Sequence, residues 1–178
     1  SAFLDDRDRG IPFTDNRSDG ADLSLRLVSR RHWQWSALAY GQVREFESSF
    51  ASIDAARTTA ARVALQDSVP SRVLGYRAEL RPPIGPDLEP RAGIDGRSSA
   101  GETRELFSYV EGLPTRRRVA GGESFTTGIF GEVAASLGRW TLSGGTRLDR
   151  WSISDGELRE RVIASGASLR DVELADRS

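Results

Sequence analysis

Residues 129–153 carry the pattern that most constrains the fold, because apolar or small side chains recur there at every second position around one glycine. The recurring positions are Ile129, Gly131, Val133 and Ala135 before the glycine and Trp140, Leu142, Gly144, Thr146 and Leu148 after it. A period of two is typical of a β-strand. Gly138 can adopt the positive φ that a short hairpin connection requires. The sequence therefore predicts two strands joined at Leu137-Gly138-Arg139.

The same alternation predicts strands in both directions from this hairpin. It recurs at Leu23 to Leu27, Trp33 to Val43, Leu74 to Leu80, Leu88 to Arg97 and Arg161 to about Leu169. Polar or proline-rich turns separate these segments at 29–32, 82–87 and 154–157. The prediction is an all-β chain, an antiparallel up-and-down meander of about seven strands.

Three polar stretches lack this alternation and are predicted to be loops. Ser1 to Asp22 reads as an exposed loop, Ser48 to Pro70 as a long loop that could carry a short helix at Ala55 to Leu65, and Ser98 to Glu123 as a loop or a projecting hairpin. Short turns near Arg31, Pro83 and Gly138 would then alternate with long loops. We expect long loops on one edge of the sheet and short turns on the other, as in a large transmembrane β-barrel.

Composition excludes several classes of protein. No run approaches the roughly 18 to 20 apolar residues of a membrane-spanning helix, whereas a barrel strand needs only about 9 to 11 residues with one apolar face. The formal charge of -1 gives no net field to attract nucleic acid, and the absence of Cys excludes disulfides and thiolate metal sites. Alternation alone leaves open a barrel wall, a soluble secreted or periplasmic β-domain that binds carbohydrate or protein, and a β-rich hydrolase.

Arginines in the third polar stretch are the candidate ligand-binding residues. Arg104, Arg116, Arg117 and Arg118 could bind an anionic ligand or lipopolysaccharide phosphates through bidentate hydrogen bonds, or they could be the charges of a solvated loop. His32 is the only histidine and has no partner for a metal site or a nucleophile. We expect no catalytic residue, no metal, no cofactor and no enzymatic activity.

The four tryptophans allow two interpretations. Trp33, Trp35 and Trp140 lie beside short predicted turns, and Trp151 lies nearer the other edge. They could form the aromatic girdles of a membrane barrel or the packed core of a soluble sandwich.

Five segments in order resemble the barrel region of TonB-dependent outer-membrane receptors. They read DGADLSLRLVSRRHWQWSALAY from Asp19, LGYRAELRPPIG from Leu74, GETRELF from Gly101, PTRRRVAGGE from Pro114 and GRWTLSGGTRLDRWSISDGEL from Gly138. The likeness covers most of the chain. Individual motifs are loose, since barrel strands are alike in composition, and the order and spacing carry the specificity.

The resemblance implies a barrel of about 22 strands that encloses a plug. It implies energised import across the outer membrane of a scarce ligand such as a ferric siderophore or cobalamin, with outer-membrane lipid, TonB and an unidentified small molecule as partners. No plug and no TonB box are visible, so we expect residues 1–178 to be a single segment of the barrel domain of a longer protein.

Overall fold

The computed structural model describes residues 1–178 as one antiparallel β-sheet of nine strands. The strands are β1 (Ala2–Asp8), β2 (Asp15–Arg30), β3 (Gln34–Ile53), β4 (Ala60–Ser68), β5 (Ser71–Arg81), β6 (Leu88–Val110), β7 (Leu113–Leu137), β8 (Trp140–Val162) and β9 (Ser168–Leu174). The structure contains no helix with the length and apolarity that a membrane crossing requires.

The strands follow one another across the sheet in an up-and-down order. The one irregularity is that β4 and β5 together occupy a single place between β3 and β6. The break between them falls at Val69-Pro70, where proline has no N–H for the ladder. The Pro70 carbonyl still accepts a hydrogen bond from the backbone N–H of Glu102 at 3.0 Å, so the two pieces act as one interrupted strand.

The sheet is held together by its backbone ladder rather than by a core. Of 117 backbone hydrogen bonds, 105 lie within the strands, and no hydrophobic side chain is buried. Burial of apolar surface normally supplies most of the favourable free energy of folding. The apolar side chains of this sheet must therefore be covered by something other than the chain itself.

The predicted central hairpin and the predicted sheet type are confirmed. Leu137 pairs with Trp140 and Ile129 with Leu148, and Gly138 has a φ of 63° at the turn. The strands predicted at Leu23 to Leu27, Leu74 to Leu80 and Leu88 to Arg97 lie within β2, β5 and β6. The strand predicted from Trp33 to Val43 lies within β3, which begins at Gln34 and continues to Ile53. The chain is all-β and up-and-down, with nine strands rather than about seven.

The prediction of long loops is wrong. Ser48–Pro70 lies mostly in β3 and β4, with six residues (54–59) between them and no helix. Ser98–Glu123 forms the outer parts of β6 and β7, joined by only Glu111 and Gly112, so of the two alternatives the projecting hairpin is correct. Connections are short at both ends of the sheet, and the two edges do not differ as expected. Ser98–Glu123 showed no alternation because both of its faces carry charged side chains.

Three smaller predictions are also wrong. Ser1–Asp22 forms β1 and the start of β2 rather than a loop. The predicted turn at 154–157 lies inside β8, where Asp155 has a φ of 52° beside a register shift in the pairing with β7. The predicted strand from Arg161 to about Leu169 is interrupted by a connection at 163–167, since β8 ends at Val162 and β9 begins at Ser168.

Candidate functional site

One face of the sheet carries a continuous band without charge, which we call the uncharged band. It comprises every second residue from Ala21 to Leu27, Trp35 to Val43, Leu74 to Leu80, Leu88 to Ala100, Phe125 to Leu137 and Trp140 to Leu148. Residues directly opposite each other in a ladder point to the same face, so the printed pairings place all of these side chains together. We call this side of the sheet the band face and the other side the polar face.

The uncharged band ends abruptly at charged residues in every strand that contributes to it. Continuing along the band face, the first charged side chains are Asp19, Glu45, Arg72, Glu102, Glu123 and Arg150. Arg72 and Glu123 flank Ala100 and form an ion pair of 2.8 Å. At its other end the band runs into the turns at 31–33, 82–87 and 138–139.

The side chains of the band are exposed. Leu23 is 79% exposed, Leu148 68% and Leu74 65%, values expected of charged surface residues rather than of leucine. Contiguous exposed apolar patches of this extent mark a surface made for another apolar phase or partner.

Tyr76 shows how the band accommodates a polar group. Its ring lies over Gly96, where an added Cβ would come within 2.6 Å of the ring. Its hydroxyl is 3.0 Å from the Thr127 hydroxyl, which itself donates to the Asp95 carbonyl at 3.0 Å. The phenol is thus satisfied within the sheet, as a polar group in an apolar setting requires.

Behind the band, the polar face of β5–β8 carries a lattice of paired charges. Arg147 donates to both carboxylate oxygens of Asp95 at 2.8 Å and also to Asp149. Arg91 donates to Glu132 at 2.8 Å, and Glu79 lies within ion-pair distance of Arg77, Arg81 and Arg91. This charge-pair lattice has four arginines and four carboxylates, so it is neutral as a unit.

Phe130 lies inside the charge-pair lattice. The guanidinium carbons of Arg77 and Arg91 are 5.0 and 5.7 Å from its ring centroid, within the range of a cation–π contact. The ring also covers Gly93, where an added Cβ would come within 2.5 Å of it. The polar face is therefore ordered by aromatic packing as well as by ion pairs.

The four candidate arginines do not form one cluster, because they divide between the two faces. Arg116 and Arg118 lie on the polar face, where both contact the Glu160 carboxylate at 3.3 Å. Arg118 also contacts Glu105 at 3.3 Å and lies 4.5 Å from the Phe107 centroid. These two arginines already have protein partners.

Arg104 and Arg117 lie on the band face, beyond the charged border. Arg104 is bound to Glu102, and this hydrogen bond raises the pKa of its guanidinium. Arg117 has no carboxylate within ion-pair distance and is paired across the ladder with another arginine, Arg161. Sequence reasoning did not identify Arg161, which lay in a predicted strand rather than in the predicted loop.

The other residues considered from the sequence are scattered. His32 and Trp33 lie in the exposed turn at 31–33. Trp35 and Trp140 lie on the band face at its turn end, whereas Trp151 pairs with Thr126 on the polar face and cannot join the same girdle. No group of three or more His, Asp or Glu side chains is arranged to hold a metal ion.

An open groove of about 730 Å³ lies at the charged border of the band. Gly101, Gly121 and Gly122 line it together with the carboxylates of Glu45 and Glu102. The groove lies where the sheet changes from having charged side chains on one face to having them on both faces.

Comparisons with protein-family models, with curated proteins and with solved structures found no match to this chain.

Proposed function

We propose that this chain is a section of the wall of a transmembrane β-barrel in an outer membrane, with the band face against lipid. The observation that carries the proposal is the uncharged band, which crosses six neighbouring positions of the sheet without one charged side chain. A sandwich would cover such a face with a second sheet, but all nine strands lie in one sheet. Lipid hydrocarbon is the apolar phase that fits a surface of this shape.

The offset between two tryptophans supports a membrane orientation. The ladder row that contains Trp35 passes through Leu80, Ala92 and Gly131 and reaches β8 at Thr146, six residues beyond Trp140. Tryptophans in membrane barrels sit at the interface. If both do so here, the level of the interface shifts by about 20 Å along the strand direction over four strand spacings of about 4.8 Å, which is a strand tilt of roughly 45°. Barrel strands in outer membranes tilt by about 35–45°.

The same tilt accounts for the position of the charged border. Glu45 follows Trp35 by ten residues, and Arg150 follows Trp140 by ten residues, each on the band face. Ten residues that rise by about 3.3 Å each, in a strand tilted by roughly 45°, span about 23 Å along the membrane normal. This is close to the apolar height of about 25 Å in such barrels. Arg150 pairs with Thr127, an uncharged residue of the band, yet it lies at the border once the tilt is included.

The polar face fits the lumen side of such a wall. The paired charges of the charge-pair lattice suit a water-filled or protein-filled interior rather than hydrocarbon. Along the outer edges of β2 and β8, near the turns at 31–33 and 138–139, the backbone N–H and C=O groups have no neighbouring strand. Further strands would have to pair with them, because an open sheet edge is not tolerated in lipid.

Within barrel proteins, we propose a TonB-dependent transporter that imports a scarce ligand such as a ferric siderophore or cobalamin. The support is the resemblance of five ordered segments, together with strands of 23–25 residues in β6–β8 that run well past a crossing of about ten residues. The partners proposed are outer-membrane lipid, TonB and the transported small molecule, and the location is the outer membrane.

Membrane fractionation tests the proposal. The protein, expressed with an outer-membrane signal sequence, is expected in detergent-extracted outer membrane, with gel mobility that changes on heating as barrels do. Recovery as a soluble periplasmic monomer would overturn the barrel proposal. Uptake assays with a panel of ferric siderophores and cobalamin then test the transporter class separately.

A further inference from the structure

Two arginines face each other across the ladder on the band face, and neither has a counter-charge. Arg117 of β7 pairs directly with Arg161 of β8. Side chains in this relation have Cβ atoms about 4.5–5.5 Å apart, and like charges there are destabilising. An isolated pair of this kind is a poor choice for a stable sheet unless an anion lies between the two guanidinium groups.

The carboxylates that could neutralise the pair are bound elsewhere. On the same face Glu102 binds Arg104, and Glu157 binds Arg159 at 2.7 Å. Asp171 also contacts Arg159, at 3.6 Å. Glu160, next to Arg161 in the chain, points to the polar face and binds Arg116 and Arg118. In this region of β7 and β8, Arg117 and Arg161 are therefore the two arginines that have no carboxylate partner.

We propose that Arg117 and Arg161 together bind a phosphate group. Two guanidinium forks side by side offer several N–H donors to the oxygens of one phosphate, in the geometry that arginine uses for oxyanions. The phosphate can be a free anion or the phosphate of an outer-leaflet glycolipid, since the pair lies on the band face beyond the charged border. The site does not depend on the transporter class.

Thermal unfolding of the detergent-purified protein tests the site with inorganic phosphate as the probe. Phosphate at matched ionic strength is expected to raise the Tm of the wild type, because a ligand that binds only the folded state stabilises it. Arg161→Gln is expected to weaken phosphate binding at least tenfold, as the loss of a charge-assisted hydrogen-bonding partner does. Without phosphate its Tm is expected to equal or exceed that of the wild type, because the like-charge contact is gone.

Arg116→Gln is the matched control, since it removes an arginine one position away on the opposite face. It is expected to leave phosphate binding unchanged. A purely structural role for Arg161 would instead lower the Tm without phosphate, and that result would overturn the proposal. If the wild type binds phosphate and Arg161→Gln binds it equally well, that result would also overturn the proposal.

A second arm identifies the source of the phosphate. Vesicles that contain a phosphate-bearing glycolipid are compared with vesicles of the same lipid after removal of its phosphates. A shift with inorganic phosphate supports a soluble anion, and a shift only with the phosphorylated vesicles supports the lipid. If the Tm shifts in neither arm, the proposed site is wrong. This result is independent of the fractionation and gel-mobility tests of the barrel.

Discussion

The half of the sheet that holds the uncharged band and the half beyond the charged border share one ladder but differ in their side chains. In the band half, one face is uncharged and the other is the charge-pair lattice around Glu79 and Arg147. Beyond the border, both faces are charged, as Arg116 and Arg117 illustrate on neighbouring residues. Identical backbone pairing is therefore compatible with two quite different side-chain patterns.

This difference explains which strands show hydrophobic alternation in the sequence. A period of two in hydrophobicity appears only where the two faces of a strand meet different media. Where both faces meet water, a strand has no such period and resembles a loop in composition. The polar halves of β6 and β7 carry charged side chains on both faces, so they lack this period although they are strands.

The largest effect expected is that of a charge placed in the middle of the band. Thr146→Arg should destabilise the membrane-inserted protein by about 2–4 kcal/mol, the cost of arginine near the midplane of a barrel's lipid face. Ser143→Arg, on the polar face of the same strand, should cost less than about 1 kcal/mol. Urea unfolding from vesicles measures both. Equal costs for the two variants would mean that the two faces meet the same medium.

Much of the band half could be predicted from the sequence. The hairpin at Gly138 and the strands predicted over Trp33 to Val43 and Leu74 to Leu80 alternate clearly, and these stretches lie within strands, although β3 continues to Ile53. The interval of ten residues from Trp35 to Glu45 and from Trp140 to Arg150 is also visible in the sequence. Relating the positions of the two intervals in the sheet required the register from β3 to β8. Likewise Arg161 could be placed opposite Arg117 only with the register of β7 and β8, because a shift of one residue reverses every face.

A smaller effect is expected from breaking the ion pairs beyond the border. Glu160→Gln removes the shared partner of Arg116 and Arg118 on the polar face. Because both arginines are 40% exposed or more, the loss should be about 1 kcal/mol or less. Membrane insertion should be unaffected, unlike in Thr146→Arg. A loss of insertion in Glu160→Gln would show that this half of the sheet is not in water.

The smallest effect is expected at the tip of the β3–β4 hairpin. The backbone N–H of Thr59 and the Thr58 side chain donate to the Asp54 carboxylate, and these hydrogen bonds lower the pKa of Asp54 below its ordinary value of 3.8. Because the folded-state pKa is depressed, the stabilising contribution is present above about pH 4 and is lost as the pH falls through the folded value.

NMR of the Thr58 and Thr59 amides measures this titration directly. Their chemical shifts should stay constant through neutral pH and change only below the ordinary pKa of an aspartate. In Asp54→Asn the low-pH change should disappear. A midpoint above 3.8 for the wild type would contradict the sign of the shift.

Membrane depth at three single-cysteine sites tests whether the band face lies in lipid with tilted strands. The chain has no cysteine, so spin labels can be placed at Trp35, Gly41 and Thr146 one at a time, and paramagnetic quenchers in the lipid and in water report their depth. Thr146 shares a ladder row with Trp35, but in the tilted membrane orientation it lies at the level of Gly41. We expect equal, deep positions for Gly41 and Thr146 and an interfacial position for Trp35. Equal depths for Trp35 and Thr146, or water exposure at all three sites, would contradict this expectation.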